Sequence, residues 1–194
     1  MLGLIKTLKS RVAAFRDDSR GSVSVEAVLI FPIVMWSMLA MFVFFEGYRQ
    51  TTINQKAANT IADMYSRETA SITPVYIDNT KALYDLLAGI NDNTRIRVSV
   101  VKWSKRRDMY QVEWSEARGS GVFELSNDDI NNMASNLPTL PDQERVVLVE
   151  TWATFQPLFN IGMGNVEMQS FVFTRLRFAP QLRFCDNNCN GASA

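Results

Sequence analysis

Histidine is absent from all 194 residues. Its absence removes the usual general base, the commonest zinc ligand and every Ser-His or Cys-His nucleophile pair. Cysteine is scarce, with Cys185 and Cys189 the only two. Net charge is missing as well: twenty Lys/Arg cancel twenty Asp/Glu, so no bulk field exists to hold nucleic acid through its phosphates. The chain has no P-loop, no G-x-G-x-x-G run after a strand and no clustered metal-ligand motif. These absences predict a protein that is not an enzyme, uses no cofactor, holds no metal and has no nucleic-acid partner. The length suits one ordinary domain plus an appendage, and 47% apolar residues suffice for a packed core.

One long uncharged run stands out. From Ala27 to Phe45 the sequence reads AVLIFPIVMWSMLAMFVFF, nineteen residues without a charge. As a helix it is about 28 Å long, the thickness of a bilayer's hydrocarbon core. It is apolar on every face, which argues against a core helix of a soluble domain. Five basic residues precede it (Lys6, Lys9, Arg11, Arg16, Arg20) against Asp17 and Asp18, whereas only Arg49 and Lys56 follow closely. Lys and Arg accumulate on the cytoplasmic flank, so the amino terminus is expected inside and the residues from about 46 onward outside. The run exceeds a usual signal-peptide core, and FFEGYRQ after it lacks a small-x-small cleavage pattern, so the helix is expected to stay attached. Pro32 lies early in the run, where its missing N–H loosens one turn and bends the helix.

Ahead of the span stands Arg20-Gly21-Ser22-Val23-Ser24-Val25-Glu26. A carboxylate at the margin of hydrocarbon is costly, so Glu26 calls for a partner or a role unless it merely reaches the headgroup layer. Gly21, Glu26 as the fifth residue after it and the apolar helix together resemble the processing site of type IV prepilins and pseudopilins. The continuation VEAVLIFP, with Pro32 six residues past the glutamate, and the exit Phe44 to Arg49 resemble more specifically the TadE/TadF-type assembly proteins of tight-adherence (Flp) pili. The resemblance covers about thirty residues of the chain. It implies a prepilin peptidase that cuts after Gly21, Ser22 as the new amino terminus, and Glu26 in peptidase recognition or subunit pairing. Ser22 stands where pilins usually carry phenylalanine. The implied partners are the bacterial inner membrane, the peptidase, other pilus or pseudopilin subunits and the assembly platform. The implied location is a single pass through the inner membrane with the C-terminal domain in the periplasm. The competing expectation is an uncleaved, single-span protein whose outer domain binds an envelope partner.

The expected organisation is a basic leader over 1–21, a transmembrane helix over 22–46 and an outer α+β domain over 47–194. Ile53, Ala57, Ile61 and Met64 recur at helical spacing, so the helix is predicted to continue in amphipathic form to about Glu68, with its stripe on its own domain. A second helix is predicted from about Val75 to Ala88, with Leu83, Leu86 and Leu87 on one face and Gly89 as its stop. The period then changes to two, giving a hairpin around Arg95–Val100 and Tyr110–Ser115 with a solvated basic tip at Ser104–Asp108. Asn127, Asp128 and Asp129 open a short helix that Pro138 and Pro141 end. Strands over 145–155 and about 166–178 complete an antiparallel sheet of about four strands. Trp103, Trp114 and Trp152 are read as core or sheet-face residues. In an oxidising compartment the C-x-x-x-C spacing of Cys185 and Cys189 favours a small disulfide loop over free thiols.

Overall fold

A computed structural model of the chain describes residues 11–16, 22–89, 94–159 and 161–186. The first long element is the helix α1, Ser22–Arg67, followed by α2, Pro74–Ala88. Then come β1, Thr94–Ser104, and β2, Met109–Arg118. The short helix α3, Asn127–Asn132, and a 3-10 turn, Ala134–Asn136, lead to β3, Arg145–Phe155, and β4, Val166–Arg175. The class is α+β: a long N-terminal apolar helix and a four-stranded antiparallel sheet in the order β2-β1-β3-β4.

Backbone contacts divide the chain into two units. One comprises Met1–Phe45 together with Leu158–Gly162, and the other Glu46–Pro157 with Met163–Ala194.

In the larger unit the sheet is covered on both faces. The face carrying Ile96, Val98, Val100, Val147 and Val149 packs on Ala57, Ile61 and Tyr65 of α1, on Ile77 and Tyr84 of α2, and on Leu182. The opposite face uses the alternate residues Val101, Val146 and Leu148 against Leu125, Ile130, Leu137 and Leu140 of the segment around α3. Burial on both faces explains why Val100 and Val101, and Val146 to Val149, are apolar in succession rather than alternating with polar residues. A bulge between Val100 and Val101 opposes two β1 residues to Trp114 and Val112, leaving Glu113 as the extra residue.

The second helix buries a different face from the leucine face expected. Ile77, Thr80, Tyr84 and Ala88 are buried, while Leu86 is 78% exposed and Leu87 37%. Polar contacts set this rotation. The Tyr84 hydroxyl donates to Asn54 Oδ1, and the Tyr65 and Thr80 hydroxyls lie 3.0 Å apart, so the tyrosine-threonine stripe faces α1. The strand β4 ends at Arg175, three residues short of the expected limit. There the chain turns back: the Arg177 N–H donates to Ser66 O at 2.8 Å, and Arg183 to Cys185 run beside Ile72 as a one-bridge parallel pair.

Candidate functional site

The stretch of α1 before Glu46 is apolar on all sides and bare. Val28, Phe31, Ile33, Met38 and Met41 are all more than 60% exposed, with Val43 the one buried residue between Val23 and Phe45. Among the described residues one helix is thus long and apolar enough to cross a membrane. Pro32 lies inside it, and the helix continues through it. Every residue from Val23 to Leu39 is exposed, so the described residues leave this apolar surface uncovered.

Glu26 sits in the second turn of α1 with its side chain exposed and no hydrogen-bond or ion-pair partner among the described residues. Ser22 begins the helix. Gly21, the expected cleavage position, lies outside the described residues. The exit from the apolar stretch is polar at once, with the Arg49 guanidinium donating to Glu46 Oε1 at 2.9 Å on the solvent side.

No protein-family model, curated protein or solved structure matches the chain.

Beyond the apolar stretch, α1 carries a buried polar hub that the spacing of its aliphatic residues did not reveal. Asn54 is 1% exposed, donates to Ser170 Oγ at 3.1 Å and accepts from Tyr84, joining α1 to α2 and β4. Burial pushes the Tyr84 hydroxyl up to about 12. Asn54 stands between Ile53 and Ala57, and nothing in that local pattern marks it for burial. Its burial follows from partners that lie 30 and 116 residues away.

The opposite face of the sheet holds a second cluster missed in the sequence. Arg97 on β1 and Glu150 on β3 are directly paired, with Nε 2.6 Å from Oε2 and Glu150 only 1% exposed. The Arg97 guanidinium lies 5.4 Å from the Trp152 ring centre, and Arg95 lies 5.9 Å from it, so Trp152 is a sheet-face residue under two cations. Arg95 is in turn paired with Glu167. Each charge here is neutralised by a neighbour, which suits a structural role and leaves no free acid or base.

An open groove of about 770 Å³ runs between β2 and residues 181–184, with Lys102, Glu113 and Trp114 among its lining. Glu113 binds Arg145 at 2.8 Å and Lys102 at 3.4 Å, and Trp114 Nε1 donates to Leu182 O at 2.7 Å. No group of three or more metal-ligating side chains is gathered among the described residues. The basic tip, Lys105 to Asp108, is an exposed turn, and the Lys105 N–H donates to Asp142 at 2.8 Å. Trp103 and Trp114 pack at the margins of the two cores. Cys185 is disulfide-bonded, and Cys189, the other cysteine of the chain, lies outside the described residues.

Proposed function

We propose that the chain is a membrane-inserted structural or assembly subunit of a bacterial pilus-type machine, similar to the TadE/TadF minor pseudopilins, and that it works by helix packing rather than by catalysis. One observation carries the reading: an exposed carboxylate, Glu26, without a partner among the described residues, at the start of a bare apolar helical stretch and five residues after Gly21. A carboxylate at that depth is costly in lipid and is relieved by a cation held by a neighbouring subunit. The α-ammonium freed by cleavage after Gly21 supplies such a cation at the same level of the helix. In this reading the chain spans the inner membrane once, is trimmed by a prepilin peptidase, and meets pilus subunits and the assembly platform through α1. The outer unit, with its sheet covered on both faces, serves as a rigid body.

Replacing Glu26 with Gln tests this, because the change removes the charge and nearly keeps the shape. Insertion becomes easier as the segment loses its costliest residue, so membrane abundance is expected to hold. A partner ammonium is left unpaired at a cost of about 3–5 kcal/mol, so surface pili are expected to fall sharply. Intact-mass measurement on the membrane-derived chain is expected to start at Ser22 in both forms. Normal piliation with normal cleavage would reduce Glu26 to a headgroup-level residue. A full-length chain in cells with active peptidase would leave only an uncleaved anchor.

A further inference from the structure

The smaller unit is not made of the apolar helix alone: Leu158–Gly162, from the loop between β3 and β4, belongs to it. The Phe159 ring meets the Phe42 ring edge-on with centres 6.3 Å apart. Phe42 lies within the uncharged run, three residues before its last residue, Phe45. Three residues of helix are about 4.5 Å of rise, so Phe159 is held at a level just inside the end of that run.

The loop has the composition of a membrane-contacting segment. Gln156 to Asn165 reads QPLFNIGMGN, ten residues without a charge, with Leu158, Phe159, Ile161 and Met163 as its large apolar side chains. Leu158 is 78% exposed and Phe159 40%, an arrangement that leaves apolar surface with no protein cover. Solvated hairpin turns are ordinarily polar, as the other hairpin of this chain shows at Lys105 to Asp108. Pro157 carries no N–H to be left without a partner. A shallow position keeps the remaining backbone groups within reach of headgroups and water, as irregular backbone near a bilayer requires.

We infer that the β3–β4 loop is a second membrane contact, inserting Leu158 and Phe159 into the lipid interface at the Phe45 end of the helix. This rests on the reading of α1 as a membrane span. The occupant is lipid, because Phe159 already lies on the lipid-facing surface of the helix and interfacial segments bury apolar side chains about 5–10 Å into the headgroup–acyl boundary.

The test uses the full chain in vesicles of phosphatidylcholine and phosphatidylglycerol, with single cysteines carrying a thiol-reactive fluorophore. Cys185 is disulfide-bonded, so the introduced thiol is the one that reacts. Leu158→Cys reports the loop, Val34→Cys the span and Lys105→Cys the exposed, charged turn of the other hairpin. Lipids brominated near the headgroup end of the acyl chain are expected to quench the Leu158 label several-fold more than aqueous iodide does, with the reverse at Lys105. Iodide quenching of the Leu158 label equal to that at Lys105, while Val34 stays in lipid, overturns the inference and leaves the span intact. A Leu158 label shielded from both quenchers means that a protein neighbour covers the loop, which overturns lipid as the occupant. Iodide reaching Val34 removes the span itself, and the inference with it.

Discussion

Arg97 and Glu150 stand opposite each other on the two central strands, and Glu150 is almost fully enclosed. A buried ion pair adds little over apolar residues of the same volume, but a buried charge that has lost its partner is strongly destabilising. Replacement of Arg97 by Leu alone is therefore expected to cost about 3–5 kcal/mol, while the double replacement Arg97→Leu, Glu150→Leu recovers most of it. Urea midpoints of the detergent-solubilised chain measure both. Equal losses in the single and double variants would mean that Arg97 acts through Trp152 and the Phe123 carbonyl, to which it also donates at 3.1 Å, rather than through Glu150. Asn54 obeys the same logic without charge, since its amide closes a network whose other members are buried hydroxyls.

At the scale of elements, two glycines show how a turn is fixed by different physics. Gly89 ends α2 in the left-handed conformation, φ 66°, with its N–H bonded to Asp85 O, and a Cβ there meets nothing within 4 Å. Gly119 follows β2 at φ 112°, and a Cβ there would lie 2.9 Å from the Thr94 carbonyl oxygen and 3.0 Å from Arg95 Cα. Gly89→Ala is expected to cost about 1 kcal/mol, the penalty of a left-handed residue alone. Gly119→Ala is expected to cost clearly more, because the backbone of β1 must move. Thermal unfolding of the two variants side by side checks the order. A smaller loss at Gly119 than at Gly89 would mean that the start of β1 yields easily.

For the molecule as a whole, stability is expected to fall at both ends of the pH scale. Glu68 is held below its usual range by the Ala70 N–H and then the Thr69 N–H, each 3.0 Å from Oε1. Asp129 is lowered by the Ser126 hydroxyl and then by its N–H, and Asp142 chiefly by the Lys105 N–H. A carboxyl lowered on folding stabilises fully above its unfolded value and loses that contribution as pH falls through the folded one, so the acid loss begins near pH 4 and deepens below it. Tyr84 and Tyr76 are raised by burial to about 12, and Tyr76 is raised further by Glu68. Their contribution is complete below the unfolded value of about 10 and is lost as pH rises towards the folded one. Melting temperatures across that range are expected to form a plateau with two falling edges. A flat acid edge would show that the three carboxylates keep the same acidity in the unfolded chain.

Local pattern determined much of this protein. The uncharged run from Ala27 to Phe45 specifies an apolar helix because no charge interrupts it over nineteen residues, and alternation around Arg95 to Val100 and Tyr110 to Ser115 specifies strands because side chains alternate across a pleat. Helix ends at Arg67 and Ala88, the hairpin and the third strand were legible for the same reason: caps, turns and period are properties of neighbouring residues. Gly21 and Ser22 were singled out by the resemblance to prepilin processing sites, Glu26 by its charge beside the apolar run as well, and Pro32 by its missing N–H within that run; the structure adds the exposure of Glu26 and the unbroken helix at Pro32. Tertiary contact decided the rest. The leucines of α2 lost the core to Ile77, Thr80, Tyr84 and Ala88 because hydroxyl partners on α1 fixed its rotation. Asn54, Glu150 and Phe159 acquired their surroundings from residues tens to more than a hundred positions away, which no local period encodes.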